Sequence, residues 1–334
     1  MNPELDIYKQ NRIQNLQNIY NGNISRLYSA LITNIRNNQL ARFLSQNVKQ
    51  TNINNLITQY NANVNILTTN LKQNIVNIQK FTPKQVTINK NKKALLIGIN
   101  YTGTKNELNG CINDVNCIKD RISKSGFIDI NVMTDLTPKK ATRNNILTEF
   151  KNLLVNSQAG DFLFFLYSGH GSYALDRNGD EKNGYDEMIV SCDLQGILDD
   201  ELKSLIQTYL KVDVTLFAMF DSCFSGSVLD LKFQYLDSLN YDKYTENAKD
   251  LETNGTVIMI SGCSDIQTSA DAFINNKANG AMVWSLLEGL KQTPNCSWRE
   301  LVKKMRDLLK ASNFTQIPQI SSGTFVNIDS LVFI

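Results

Sequence analysis

"FLFFLYSGHGS", from Phe162 to Ser172, places six apolar or aromatic residues directly before a serine and a histidine held between two glycines. A run this short, without charge or turn residues, predicts a strand buried on both faces, as in the interior of a parallel sheet. His170 is the single histidine in 334 residues. It stands just past the C-terminal end of that strand, where parallel sheets build their sites. A histidine used only for packing has no reason to sit in a glycine turn at that place.

Working outward, "KALLIGIN", "INVMTD", "VTLFAMFDS" and "TVIMISG" repeat the apolar run, and "GCINDVNCIKDRISKSG", "ATRNNILTEFKNLLVNS" and "DDELKSLIQTYL" between them are amphipathic. Strand and helix in alternation predict an α/β domain, a mostly parallel sheet flanked by helices on both faces. We place this domain at residues 86–334. Cys223, in "TLFAMFDSCFSGS", occupies the same kind of position as His170, just after a buried strand. If the two strands are neighbours, thiol and imidazole face one another. An imidazole can take the thiol proton and later return it to a leaving amine, so the pair has the makings of a nucleophilic dyad.

Residues 1–85 are different in kind. They are rich in Asn, Gln and Ile, and their apolar positions, Ile24, Leu27, Leu31, Ile35 and then Ile57, Tyr60, Val64, Leu67, Leu71, Ile75, Ile78, step by threes and fours. That is a helical seam near heptad period, predicting an N-terminal α-helical arm, a hairpin or a coiled coil, available for self-association or for a partner. "FTPKQVTINKNKK" reads as a linker. The first 93 residues hold 12 basic and 2 acidic side chains and the remainder 22 and 30, against an overall net charge of +2. The basic residues are scattered rather than clustered, so no nucleic acid is expected as a partner. The N-terminus lacks a basic stretch followed by an apolar core, and no apolar run is long enough for a membrane span, so a cytoplasmic protein with no membrane partner is expected. Cysteines 111, 117, 192, 223, 263 and 296 form no paired motif, and one histidine cannot complete a zinc finger.

"YSGHG" and "DSCFSG", with "GCINDV" upstream and "SGCSDIQTSADA" downstream, together resemble the metacaspases among the caspase-like cysteine peptidases. The resemblance runs from about Lys92 to Ile334, with the motifs in the family's order. It implies an endopeptidase with Cys223 as nucleophile, His170 as general base and acid, and the backbone N–H groups of Gly171 and Cys223 as the oxyanion hole. Ser168 and Asp221 stand two residues before His170 and Cys223. Alternate residues of a strand share a face, so both lie on the catalytic side. The family's pattern adds Cys111 and Asp114 to the same S1 pocket. Two carboxylates in a small pocket suit a cation, so peptide and protein substrates with Arg or Lys at P1 are expected rather than Asp.

The resemblance further implies an activating Ca2+ held by Asp186, Asp199, Asp200 and Asp230. An EF-hand over Asp176, Asn178, Asp180 and Glu187 is rejected, because glycine is missing at its sixth position and flanking helices are absent. A capping role for Asp199 and Asp200 at the helix "DDELKSLI" competes with the calcium site. The stretch from Leu231 to Asn254, with Lys232, Lys243 and Lys249, is a candidate for self-processing. Two rivals to this reading stand: a catalytically silent scaffold with a partner-binding arm, and a caspase-like peptidase of different P1 preference. Intact Cys223, His170 and Asp221 speak against the first.

Overall fold

The computed structural model describes residues 3–83, 90–176, 184–222, 229–235, 245–247, 251–261, 271–274 and 277–334, the side chains of 271–274 and 277–279 excepted. The chain divides into two compact units, Met1–Pro83 and Lys84–Ile334.

The first unit is a hairpin of two long helices, α1 (Pro3–Leu40) and α2 (Gln46–Lys80). Ser45 starts α2 by accepting a hydrogen bond from the Val48 N–H at 3.4 Å. Contacts run antiparallel along the pair. The Tyr8 and Phe81 rings lie 5.0 Å apart, Tyr20 Oη meets Thr68 Oγ1 at 3.0 Å, the Tyr28 and Tyr60 rings are 6.4 Å apart, and Asn38 Nδ2 donates to Lys49 O. The apolar seam is the one that the spacing marks out, with one difference. Ile57 faces outward and Leu56 takes its place, so the steps from Ile53 run three, four, four, three, close to the ~3.6 residues of an α-helical turn. α2 buries no side chain fully, since two helices alone cannot enclose a core.

The second unit opens with β1 (Lys92–Gly98), α3 (Cys111–Ile122), β2 (Phe127–Thr134), α4 (Arg143–Val155) and β3 (Phe162–Ser168). It continues with β4 (Gly171–Leu175), β5 (Tyr185–Val190), β6 (Gly196–Leu198), α5 (Asp199–Tyr209) and β7 (Thr215–Asp221). Next come β8 (Phe233–Tyr235), β9 (Thr245–Glu246), β10 (Thr256–Ser261), β11 (Asp271–Ile274) and β12 (Lys277–Gly280). α6 (Ala281–Gln292), α7 (Trp298–Ala311) and β13 (Gln319–Ser322) complete the order.

An eight-stranded sheet runs β2-β1-β3-β7-β10-β13-β8-β9. The first five strands are parallel and the last three are added antiparallel. β3 and β7 are central and buried at every position, which is why their sequences lack the alternation of a half-exposed strand. Their side chains alternate between two cores. On one face Phe165 packs on Phe150 of α4 and on Phe220, with Leu202 and Ile206 of α5 in the same cluster. On the other Phe164 stacks on Phe217 at 4.9 Å, and Phe217 meets Trp298 of α7 at 4.9 Å. α7 is begun by a capping box, in which Ser297 accepts from the Glu300 N–H and Glu300 accepts from the Ser297 N–H.

Two expectations change. Lys92 and Lys93 belong to β1 rather than to a linker, and the Lys92 ammonium donates to Ser125 O and Phe333 O. The stretch offered as a candidate for self-processing begins inside the fold, because β8 extends the sheet and Phe233 is fully buried.

Candidate active site

β3 and β7 are neighbours in parallel register, with Ser168 opposite Asp221 at their C-terminal ends. The chain leaves β3 through Gly169, His170 and Gly171, and leaves β7 through Ser222. Cys223 and the five residues after it lie outside the described residues.

The His170 imidazole is fixed from two sides. Its Nε2 is 2.8 Å from the Asn106 carbonyl oxygen, in the loop between β1 and α3. A carbonyl only accepts, so Nε2 carries the hydrogen and Nδ1 of the neutral ring is left as the acceptor. The Tyr101 ring packs against the imidazole with centroids 4.7 Å apart, and Tyr101 Oη accepts the His170 backbone N–H at 2.9 Å.

Beside this edge two carboxylates converge. Asp114, in the first turn of α3, is 0% exposed. It accepts from Ser168 Oγ at 2.9 Å and from the Gly280 N–H at 2.9 and 3.0 Å. Asp221 Oδ2 accepts from the Val283 N–H at 3.1 Å. α6 starts at Ala281, so Val283 is its third residue, and Asp221 reaches across from β7 to a helix end whose own Gly280 has no capping side chain. A Cβ on Gly280 would overlap Asp221 Oδ2 outright and stand 2.8 Å from Asp114 Oδ2, so both carboxylates border one point. Both acids are thus held by donors: Asp114 by Ser168 Oγ and the Gly280 N–H, and Asp221 by a backbone N–H in the first turn of α6. Cys111 is a buried thiol three residues before Asp114, in the same turn of α3. Asp114, Ser168 and Asp221 are therefore brought together, with Gly280, which carries no chemical group to flag it in the sequence. Asn106 is equally silent there, because its contribution is a backbone carbonyl.

A second acidic place lies beside β5. Asp186, Asp199 and Asp200 each bring a carboxylate oxygen within 4.8 Å of the others. Asp199 Oδ2 accepts from the Glu187 N–H at 2.7 Å and Oδ1 from the Asp200 N–H at 2.8 Å. Burial, then the charges of Asp230 and Asp186, push the Asp199 carboxyl up to about 7 against those two bonds. Three of the four acids thus share one place, and Asp230, paired to Lys203 at 3.4 Å, acts on it through its charge. Mutually repelling oxygen donors, two of the three carboxylates buried, fit a hard divalent cation of the Ca2+ kind.

A family model described as the metacaspase peptidase C14 domain matches residues 92–232. Metacaspase-1 of Mycosarcoma maydis is 35% identical over 291 residues, covering 72% of each chain. Metacaspase-1 of Schizosaccharomyces pombe is 35% identical over 302 residues, covering 74% of this chain and 71% of its own. The chain belongs to the metacaspase family. A solved Geobacter sulfurreducens protein, 23% identical, superposes with a TM-score of 0.54 over 73% of this chain and all of its own, a likeness of fold. As a metacaspase the chain is a cysteine-type peptidase, and proteins are its class of substrate. Among the described residues no helix is long and apolar enough to cross a membrane.

Proposed function

We propose that the chain is an endopeptidase that cuts after Arg or Lys, with Cys223 as nucleophile and His170 as its base. The observation that carries the specificity is the pair of buried carboxylates, Asp114 and Asp221, bordering Gly280 one strand end away from His170. The imidazole tautomer supports the base assignment. With Nε2–H donated to Asn106 O, Nδ1 takes the thiol proton. The thiolate then attacks the scissile carbonyl carbon, a C–S bond forms, and the oxygen takes the electron pair of the C=O π bond. The N–H groups of Gly171 and Cys223 stabilise that oxyanion. As it collapses the C–N bond breaks and the imidazolium gives its proton to the leaving amine. Water, deprotonated by the same Nδ1, then hydrolyses the thioester. Peptides differing only in Arg, Lys or Asp at P1 test the specificity; Asp as the best substrate overturns it.

Calcium activation is the second part of the proposal. Asp186, Asp199 and Asp200 would hold the ion, with Asp230 beside them. When bound it would neutralise charges that otherwise repel. Asp186 lies on β5, which pairs with the strand beginning at Gly171, and Asp230 follows the Cys223 segment, so these residues link both halves of the dyad to one place. We expect chelator to lower the rate at least about tenfold, since ordering through several carboxylates shifts a conformational equilibrium by a few kcal/mol. Asp199→Asn with Asp200→Asn should raise the calcium midpoint by a similar factor, with calorimetry reporting weaker binding directly. Full activity in chelator, or an unchanged midpoint, overturns this part. Mass spectrometry of the same incubations reads self-processing after Lys243 or Lys249, both outside the described residues. Lys232 is not a candidate, being 9% exposed and 3.7 Å from Glu246.

The arm is assigned to self-association. Ile19 and Ile66, each 59% exposed, border grooves of about 740 and 430 Å³ along the hairpin. A second hairpin laid on this face completes a four-helix arrangement. Helices of this length offer a face of roughly 55 by 20 Å, or roughly 2,000 Å² buried in total, which is the size of a stable dimer interface. Sedimentation of the full chain should give a dimer at micromolar concentration and a monomer for Ile19→Asp with Ile66→Asp. A wild-type monomer at 100-fold higher concentration refutes the assignment.

A further inference from the structure

Two buried tyrosines grip the turn that carries His170. Tyr167, in β3, and Tyr101, after β1, are 0% and 1% exposed, and their hydroxyls lie 3.1 Å apart. Burial pushes both hydroxyls well above their ordinary pKa, so each remains a neutral donor with one proton. Tyr101 Oη accepts the His170 N–H and lies 2.6 Å from Val190 O, to which it gives its proton. Tyr167 Oη accepts the Val190 N–H at 3.1 Å and stands 2.7 Å from His170 O and 2.8 Å from Val190 O. Each carbonyl oxygen can accept twice, and the nearer one, His170 O, takes the Tyr167 proton while the strongest donor to Val190 O is Tyr101. That oxygen also accepts the Val190 N–H at 3.0 Å.

The grip is built in. Tyr101 keeps its place with a φ of +52°, a region that residues other than glycine seldom occupy. A Cβ on Gly169 would stand 2.7 Å from Tyr167 Oη and 3.0 Å from Tyr101 Oη, so the first glycine of the "GHG" turn lets both hydroxyls reach the backbone.

The consequence falls on the next group along the chain. In a trans peptide the C=O of one residue and the N–H of the next point in opposite directions. Donors that pull the His170 carbonyl inward therefore turn the Gly171 N–H outward, away from β5. Donation to the carbonyl also polarises the amide and strengthens that N–H as a donor. We propose that Tyr167, with Tyr101 behind it, is a positioning residue of the oxyanion hole, setting the plane of the His170–Gly171 peptide so that the Gly171 N–H meets the developing oxyanion. The inference rests on the dyad and oxyanion hole proposed above.

Three measurements on the full chain separate it from a merely structural role. Tyr167→Phe should lower kcat about 10- to 100-fold, less than the loss of a whole oxyanion donor, with KM within about twofold. The thiolate adds to the carbonyl carbon of a peptide aldehyde of the substrate sequence, and the oxygen that takes the C=O π pair sits in the same hole, so the aldehyde's affinity should fall by the same factor. Alkylation of Cys223 by iodoacetamide displaces iodide and forms no oxyanion, so its rate should stay within about twofold of wild type. If Tyr167→Phe does not fold, Tyr101→Phe decides, with a smaller loss in the same pattern, because the Tyr167 proton is then shared with Val190 O. Unchanged kcat, or alkylation falling in step with kcat, overturns the inference. Wild-type alkylation that is insensitive to His170→Ala would instead break the dyad assignment on which it rests.

Discussion

Cys223→Ala and His170→Ala should each lower kcat/KM on a peptide substrate by about 10⁴-fold or more, and the double variant should be little worse than either, because residues that act as one unit are not additive. The two losses differ in their pH behaviour. Without the imidazole the thiol has no base, and thiolate forms only as the solution becomes alkaline, so His170→Ala regains part of its rate as pH rises, while Cys223→Ala does not. The regained part stays small, since no acid remains to protonate the leaving amine. Neither change should unfold the protein. His170 is half-buried at the sheet edge, and its loss forfeits the Asn106 bond and the Tyr101 ring contact but none of the central core. Melting temperatures and rates over pH 6 to 9 check this together. Robust turnover by Cys223→Ala with an intact fold ends the assignment.

What the sequence discloses depends on how a residue does its work. Four of the five parallel strands, β1, β3, β7 and β10, were legible because burial on both faces leaves an apolar run, as in "FLFFLYS" and "TLFAMFD", whereas β2 lies at the sheet's edge and is half exposed. Asp221 was legible for the same reason, as a charge where the run allows none. The sheet β4-β5-β6 was not, because its strands are half exposed and their residues read as a polar loop. α7 carried a signal that could have been used, since Ser297 and Glu300 form a capping box before an amphipathic stretch. Tyr101 and Tyr167 are indistinguishable from core aromatics until their hydroxyls are seen on the His170 peptide. Asp114 would pass for an ordinary acid at a helix start, and its burial against Ser168 and Gly280 depends on segments more than fifty residues away in either case.

Gly280 and Asp221 carry the second large effect, and they also decide between two roles for Asp221. By accepting the Val283 N–H, Asp221 serves the start of α6 as a cap would. By standing beside Asp114 around Gly280, it lines one point with two carboxylates, as a site for a P1 cation would require. Asparagine separates the roles, because it keeps an acceptor for Val283 and loses the charge. If Asp221 is a cap alone, Asp221→Asn retains activity on every substrate. If it receives the P1 cation, Asp221→Asn loses about 10²- to 10³-fold in kcat/KM on Arg and Lys peptides, as expected when a buried charge forfeits a partner worth ~3–5 kcal/mol. Peptides with uncharged glutamine or citrulline at P1, poor for the wild type, should then lose less than about threefold, because they never drew on the charge. Gly280→Ala tests the same place without touching either acid. Its methyl group would displace the Asp221 carboxylate and crowd Asp114, so it should cost cationic substrates a comparable factor while Cys223 remains as reactive to iodoacetamide as in the wild type. Full activity of Gly280→Ala on Arg peptides, or equal losses on charged and uncharged peptides for Asp221→Asn, would leave Asp221 as a helix cap and place the P1 site elsewhere.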